Sequence, residues 1–132
     1  EDHPKIRHAP SLEDYLAAAH MLISRTGSQV GMVDAKLAEM GLERRINLIV
    51  PHFLSAPLIV AETDMILSLP YRLAAQFRKL VPLKILPVPL DLPNYDLAMI
   101  WHPLREKDPA HCWLREQIKA IGRNIGATAI EL

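Results

Sequence analysis

A histidine and a phenylalanine, His52 and Phe53, directly follow the apolar run Ile46–Val50, which is typical of a buried strand. In open α/β sheets, ligands bind in the crevice beyond the carboxyl ends of the strands. A histidine can donate a hydrogen bond to a carboxylate or phenolate, and a phenylalanine ring can stack on an aromatic ligand. The pair therefore predicts a ligand contact. The alternative is that His52 satisfies local backbone groups while Phe53 fills the core.

Three weaker candidates stand beside other predicted strands. His20 opens the run at residues 20–24, and Thr63 precedes the run at residues 65–69. Both are candidate effector contacts, although a lone histidine in apolar surroundings is more often structural. Residues 25–32 precede a predicted helix whose first amides favour an anion, although Asp34 would oppose one. The alternative for that segment is a plain surface connection.

No motif for catalysis, metal binding or cofactor binding is present in the sequence. The six histidines, at positions 3, 8, 20, 52, 102 and 111, form no i, i+4 pair and have no cysteine at zinc spacing. A nucleophile elbow, a phosphate loop and a dinucleotide fingerprint are also missing. We therefore predict no catalytic residue, no metal and no cofactor. The enzyme alternative is a small α/β hydrolase that pairs His52 with Glu62 or Asp64.

Charge and composition favour a globular domain without a general affinity for polyanions. Of 132 residues, 50% are hydrophobic, and 15 basic residues balance 15 acidic ones. This balance leaves no net field to attract DNA phosphates or an anionic membrane. The single cysteine, Cys112, suits a reducing compartment, and we expect the chain to be cytoplasmic. No apolar run approaches the roughly 20 residues that cross a bilayer.

Strand and helix patterns alternate along most of the chain, which predicts an α/β fold with a mostly parallel sheet covered by helices. Ser11 resembles the first residue of a capping box. Gly41 and Asp108 mark the end of one helix and the start of another. The predicted strands are residues 20–24, 46–50, 65–69 and 96–101, and the proline-rich residues 83–89 are at best an edge or irregular strand. The predicted helices begin at residues 12, 33, 56, 71 and 109.

Several short motifs, taken in order, resemble one protein family. They are His3-Pro4, Ser11-Leu12-Glu13-Asp14-Tyr15, Val33-Asp34, Leu37-Ala38, Gly41-Leu42, Arg44-Arg45, Val50-Pro51-His52-Phe53, Thr63-Asp64, Leu69-Pro70, Trp101-His102, Asp108-Pro109-Ala110-His111 and Trp113-Leu114-Arg115. Their order is similar to that in the effector-binding domain of LysR-type transcriptional regulators, in the branch that senses aromatic compounds.

The resemblance implies a type 2 periplasmic-binding-protein-like fold, in which two subdomains enclose a small effector. Residues 1–95 would form the second subdomain, and residues 96–132 would be the return strand and helix that lead to the first. The DNA-binding domain and most of the first subdomain would then be missing from this incomplete sensor, so that DNA is reached only through the missing part. The resemblance places the His52 turn on the cleft. It also implies self-association, and the remaining alternative is a module that only oligomerises.

Overall fold

Helices and parallel strands alternate in the computed structural model, which describes residues 3, 6, 8–94 and 98–127, with side chains as far as residue 123. These residues fall into two compact units, one ending at Pro93 and one beginning at Asn94. The elements are α1 (Leu12–Ala17), β1 (Ala19–Ile23), α2 (Met32–Glu39), β2 (Ile46–Val50), α3 (Ala56–Ala61), β3 (Met65–Leu67), α4 (Tyr71–Phe77), a 3-10 turn (Pro103–Arg105) and α5 (Pro109–Ala127).

The sheet of the first unit has three described strands in the order β2-β1-β3, and both pairings are parallel. Ile23 lies opposite Val50 at the carboxyl ends of β1 and β2. The N–H of Ser24 donates to the carbonyl of Val50 at 2.9 Å, so the two chains are still joined where they leave the sheet. The predicted α/β fold with a parallel sheet is confirmed.

Side chains alternate between the two faces of the sheet, and each face carries an apolar cluster. On one face, Tyr15 of α1 packs with Val33 and Leu37 of α2. On the other, Met21 and Val50 pack against Ala56 at the start of α3. Helices therefore cover both faces, as parallel sheets require.

Helix ends follow the local sequence closely. The Ser11 hydroxyl accepts a hydrogen bond from the N–H of Asp14 at 3.1 Å, which caps α1. Gly41 has a φ of 69°, and the N–H of Leu42 returns to the carbonyl of Leu37, which closes α2. A carboxylate oxygen of Asp108 accepts from the N–H of His111 at the start of α5. All three predicted helix ends are confirmed.

The second unit departs from expectation between residues 98 and 101. A strand was predicted over residues 96–101; positions 96 and 97 lie outside the described residues, and 98–101 form no strand. An apolar run becomes a strand only when a neighbouring strand accepts its ladder hydrogen bonds, and no described strand lies beside this run. The prediction is therefore wrong for residues 98–101. Helix α4 also ends at Phe77, before the predicted residue 80, and residues 83–89 form no strand.

Trp101 and Trp113 lie twelve residues apart, a spacing that favours a core pairing between the last predicted strand and helix, but they form no such pair. Trp113 is 64% exposed on α5. Trp101 instead lies beneath the guanidinium of Arg115, whose central carbon is 4.7 Å from the ring centroid. Arg115 is buried and donates to the carbonyls of Arg105 and Glu106, at 3.0 and 2.7 Å. This cation, rather than an aromatic pair, holds the turn before α5. No helix among the described residues is long and apolar enough to span a membrane.

Candidate functional site

The loops that follow β1 and β2 open at the same edge of the sheet, because these strands are adjacent and parallel. We call this the carboxyl edge and define it as residues 24–31 after β1, 51–55 after β2 and 68–70 after β3. Several apolar side chains in these loops are exposed. Val30 is 67% exposed, Phe53 47% and Leu54 73%. Exposed apolar groups in loops at the same edge of a sheet favour a binding surface.

His52 and Phe53 lie in the turn between β2 and α3, and both are exposed. The Ser55 hydroxyl donates to the carbonyl of His52 at 3.3 Å, so the local backbone role predicted as an alternative falls to Ser55 and not to the imidazole. Phe53 does not fill the core, because nearly half of its surface is accessible. The arrangement offers an imidazole beside an exposed aromatic ring, which suits a flat ligand with an acceptor group.

The loop at residues 24–31 is shaped by local hydrogen bonds and one glycine. Gly27 has a φ of 76°, in the left-handed region that favours glycine. The Ser28 hydroxyl accepts from the N–H of Val30 at 3.2 Å. At the end of the loop, the N–H of Gly31 donates to Asp34 at 2.7 Å. A carboxylate therefore already occupies the start of α2, which favours the surface-connection interpretation over an anion site.

His20 lies on the face of the sheet that α1 and α2 cover, and it is fully buried. Its Nε2 is 2.7 Å from the carbonyl of Tyr15, and its Nδ1 is 3.2 Å from a terminal nitrogen of Arg44. Because a guanidinium can only donate, Nδ1 accepts, and Nε2 carries the proton and donates to Tyr15. Both ring nitrogens are thus engaged within the protein. Burial first, and Arg44 in addition, lower the pKa of His20 to about 4.

Arg44 is the centre of this buried network. Its side chain is 2% exposed, and it binds both carboxylate oxygens of Asp34 at 2.7 and 3.0 Å. A terminal nitrogen also reaches the hydroxyls of Tyr15 and Ser68, at 3.3 and 3.5 Å. Burial raises the pKa of Asp34, but the hydrogen bonds from Arg44 and Gly31 outweigh it and hold that pKa below its usual value. Burial lowers the pKa of Arg44, and the bonds to Asp34 outweigh this, so it stays charged.

The sequence marked Arg44 only as part of the Arg44-Arg45 motif, and its role in this buried network was not predicted. One signal was available, because Arg44 is a cation just before an apolar run, and a cation that becomes buried needs a partner. The helix-ending Gly41 turns the chain back so that residue 44 returns alongside α2.

Thr63 lies at the opposite edge of the sheet from His52 and Phe53. It precedes β3, is exposed, and its hydroxyl donates to the carbonyl of Ile59 at 2.9 Å, at the end of α3. The acidic candidates Glu62 and Asp64 flank it at this amino edge. The structure thus brings His52 and Phe53 together and leaves Thr63 apart. Because strands rise about 3.3 Å per residue, the length of the sheet separates His52 at the carboxyl edge from Glu62 and Asp64 at the amino edge.

A groove of about 650 Å³ runs along the outer side of β3, with Thr63 at one end and Ser68 and Leu69 at the other. Its opposite wall comes from residues 82–88. In the described sheet β3 has a partner on one side only, so the groove borders unpaired main chain. Such an edge is a template for another strand. No group of three or more described His, Cys, Asp or Glu residues could hold a metal ion.

Comparison with known proteins identifies the family. The model of the LysR substrate binding domain matches residues 1–122. The chain is 31% identical over 126 residues to the HTH-type transcriptional regulator SyrM of Rhizobium meliloti, covering 95% of this chain and 39% of SyrM. It is 35% identical over 116 residues to the HTH-type transcriptional activator NahR of Pseudomonas putida, covering 88% and 39%. The chain thus spans less than half the length of these relatives.

Solved structures agree. The regulatory domain of MexT, a transcriptional activator in Pseudomonas aeruginosa, has a TM-score of 0.78 and 30% identity, over 89% of this chain and 59% of that one. A putative transcriptional regulator from Vibrio parahaemolyticus has a TM-score of 0.81 and 28% identity, over 96% and 59%. The fold is therefore that of LysR regulatory domains, which is type 2 periplasmic-binding-protein-like, and these relatives are regulators rather than enzymes. The chain belongs to the LysR substrate-binding domain family.

Proposed function

We propose that this chain senses a small aromatic or carboxylate effector at the carboxyl edge of its sheet. One observation carries the proposal: exposed His52 and Phe53 share this edge with the exposed apolar side chains of Val30 and Leu54. An apolar surface with a few polar groups is the usual composition of a small-molecule site. LysR regulators bind small effectors and act as oligomers on DNA, and NahR and NagR are among the activators that this chain resembles.

In this proposal the roles of the four predicted contacts differ. Phe53 stacks on the effector ring, and His52 donates to its carboxylate or phenolate. His20 has both ring nitrogens engaged within the protein, so its role in this proposal is structural. Thr63, at the opposite edge, would meet an effector only through a second surface, and direct contact there stays a prediction. The signal would pass to a DNA-binding domain elsewhere in the longer protein.

Titration calorimetry on the full-length regulator tests the proposal, with benzoate and 2-hydroxybenzoate as probes. We expect saturable heat without product formation, and about a tenfold weaker affinity in His52→Ala, the effect of losing one hydrogen bond to a charged group. His8→Ala is the matched control, because His8 is also exposed but lies outside the carboxyl edge. Equal affinities in the native protein and in His52→Ala would remove His52 from the site.

Self-association is a second proposal, carried by α5. Its exposed apolar side chains are Trp113, Leu114, Ile118 and Ile121. Positions 114, 118 and 121 share one face of the helix. We propose that a second copy covers this stripe, by a two-fold contact between the α5 helices or by exchange of α5 between copies.

A further inference from the structure

One buried cation connects four separate parts of the first unit. Arg44 stands in the connection between α2 and β2, and its guanidinium reaches α1 at Tyr15, β1 at His20, α2 at Asp34 and the segment after β3 at Ser68. The contacts to Tyr15 and Ser68 span 29 and 24 residues. The Tyr15 hydroxyl is also 2.7 Å from the Ser68 hydroxyl, which closes the network.

Stability alone is a poor explanation for this arrangement. Removing a guanidinium and a carboxylate from water is costly, and well-packed apolar residues of similar volume are often at least as stabilising as a buried ion pair. Apolar side chains, however, do not fix the orientation of the groups that they contact. A guanidinium holds a carboxylate in a fixed two-point geometry and still has donors for other groups.

The network reaches the carboxyl edge at two points. Asp34, which Arg44 holds by both oxygens, accepts the N–H of Gly31, the last residue of the loop after β1. The approach is close, because a Cβ on Gly31 would lie 3.3 Å from Asp34 Oδ2 and 3.1 Å from Leu22 Cδ1. Ser68, the first residue after β3, is the second point. The edge at β2 is fixed separately, through the bond from Ser24 to Val50.

We infer that Arg44 is a positioning residue for effector binding, which fixes the loop at residues 24–31 and the segment at 68–70 relative to each other. This inference rests on the proposed effector site at the carboxyl edge. Arg44 is buried, and it acts on Gly31 through Asp34 and on Ser68 both directly and through Tyr15. Losing it would loosen the border of the site while leaving His52 and Phe53 in place.

Hydrogen exchange of the full-length regulator, followed peptide by peptide, tests the positioning. In Arg44→Lys, which keeps the charge but loses the two-point geometry, we expect exchange at residues 24–31 to accelerate about tenfold relative to residues 46–50. Leu37→Val is the matched control: it shortens a buried side chain that packs in the same cluster as Tyr15 but makes no side-chain hydrogen bond, so a packing defect alone should accelerate both peptides equally. Unchanged relative exchange in Arg44→Lys would overturn the inference.

Tyr15→Phe serves where the Arg44 variant does not fold. It removes one hydroxyl and keeps the ring, so exchange at residues 68 and 69 should accelerate while the Asp34 contact with Gly31 is kept. If exchange at residues 68 and 69 is unchanged in Tyr15→Phe, Tyr15 does not position Ser68, and that half of the inference is overturned.

Affinity for benzoate and 2-hydroxybenzoate then connects position with function. We expect the dissociation constant of whichever probe the native regulator binds to rise about tenfold in Arg44→Lys and to stay unchanged in Leu37→Val. Faster loop exchange with unchanged affinity would overturn the role in effector binding. If the native regulator binds neither probe, the proposed effector class fails, while the exchange result still decides whether Arg44 positions the loop.

Discussion

The buried imidazole of His20 makes the stability of the first unit depend on pH in the weakly acidic range. The folded chain holds the pKa of His20 at about 4, against 6.5 for an ordinary histidine. Arg44 donates to Nδ1, so a second proton on this ring has no acceptor and meets a cation at 3.2 Å. Between pH 6.5 and about 4, the unfolded chain therefore binds a proton on the imidazole of His20 that the folded chain does not bind.

The sign and size of the effect follow from linkage. The stability that depends on neutral His20 is fully present above the unfolded pKa of 6.5 and is lost as the pH falls from there towards 4. Each pKa unit is worth about 1.4 kcal/mol, so the loss over this window is at most about 3 kcal/mol. The stabilisation that depends on ionised Asp34 is also lost as the pH falls. This loss occurs only at lower pH, because the pKa of Asp34 lies below its usual value.

Urea unfolding at a series of pH values between about 7.5 and about 4.5 measures this loss, provided that it is compared with a variant that cannot titrate at position 20. In His20→Gln the free energy of unfolding should be lower at neutral pH but should fall by about 2 kcal/mol less across the series. His8→Gln, which removes an exposed histidine, should keep the native slope. Equal slopes in native protein and His20→Gln would refute the assigned protonation state of the network.

Three further predictions concern binding. Phe53→Ala should weaken binding of an aromatic carboxylate about tenfold while Phe53→Tyr keeps it, as calorimetry on the full-length regulator would measure; equal losses in both would argue against stacking. This chain alone should show no sequence-dependent DNA affinity in a gel shift at physiological salt, given its zero formal net charge, and a sequence-dependent shift would disprove this. Light scattering should find the chain associated at micromolar concentration and Ile118→Glu monomeric. A monomeric, folded native chain would contradict the role of α5.

The sequence predicted the elements whose signals are local. Strand β2 has the predicted bounds because Ile46–Val50 is a short apolar run before Pro51. The helices begin or end at Ser11, Gly41 and Asp108 because each cap depends on residues within one turn. Two residues of the candidate site, His52 and Phe53, follow from the rule that ligands bind beyond parallel strands.

The buried network could not be predicted from the sequence, because its contacts are not local. Tyr15 and Ser68 are 53 residues apart, and Arg44 is 10 residues from Asp34, so neither contact leaves a periodic pattern. His20 was therefore predicted as an effector contact without knowledge of the cation beside it. The run at residues 98–101 misled in a similar way, because its apolar composition predicts a strand while the partner strand depends on the tertiary fold.

A crystal structure of the full-length regulator with the aromatic carboxylate that binds it would show where the effector lies. We expect density for the ring against Phe53, with the carboxylate within hydrogen-bond distance of the His52 imidazole and the loop at residues 24–31 beside it. A ligand bound in the groove along β3, or at any place away from residues 24–31 and 51–55, would contradict the assignment of the effector site to the carboxyl edge.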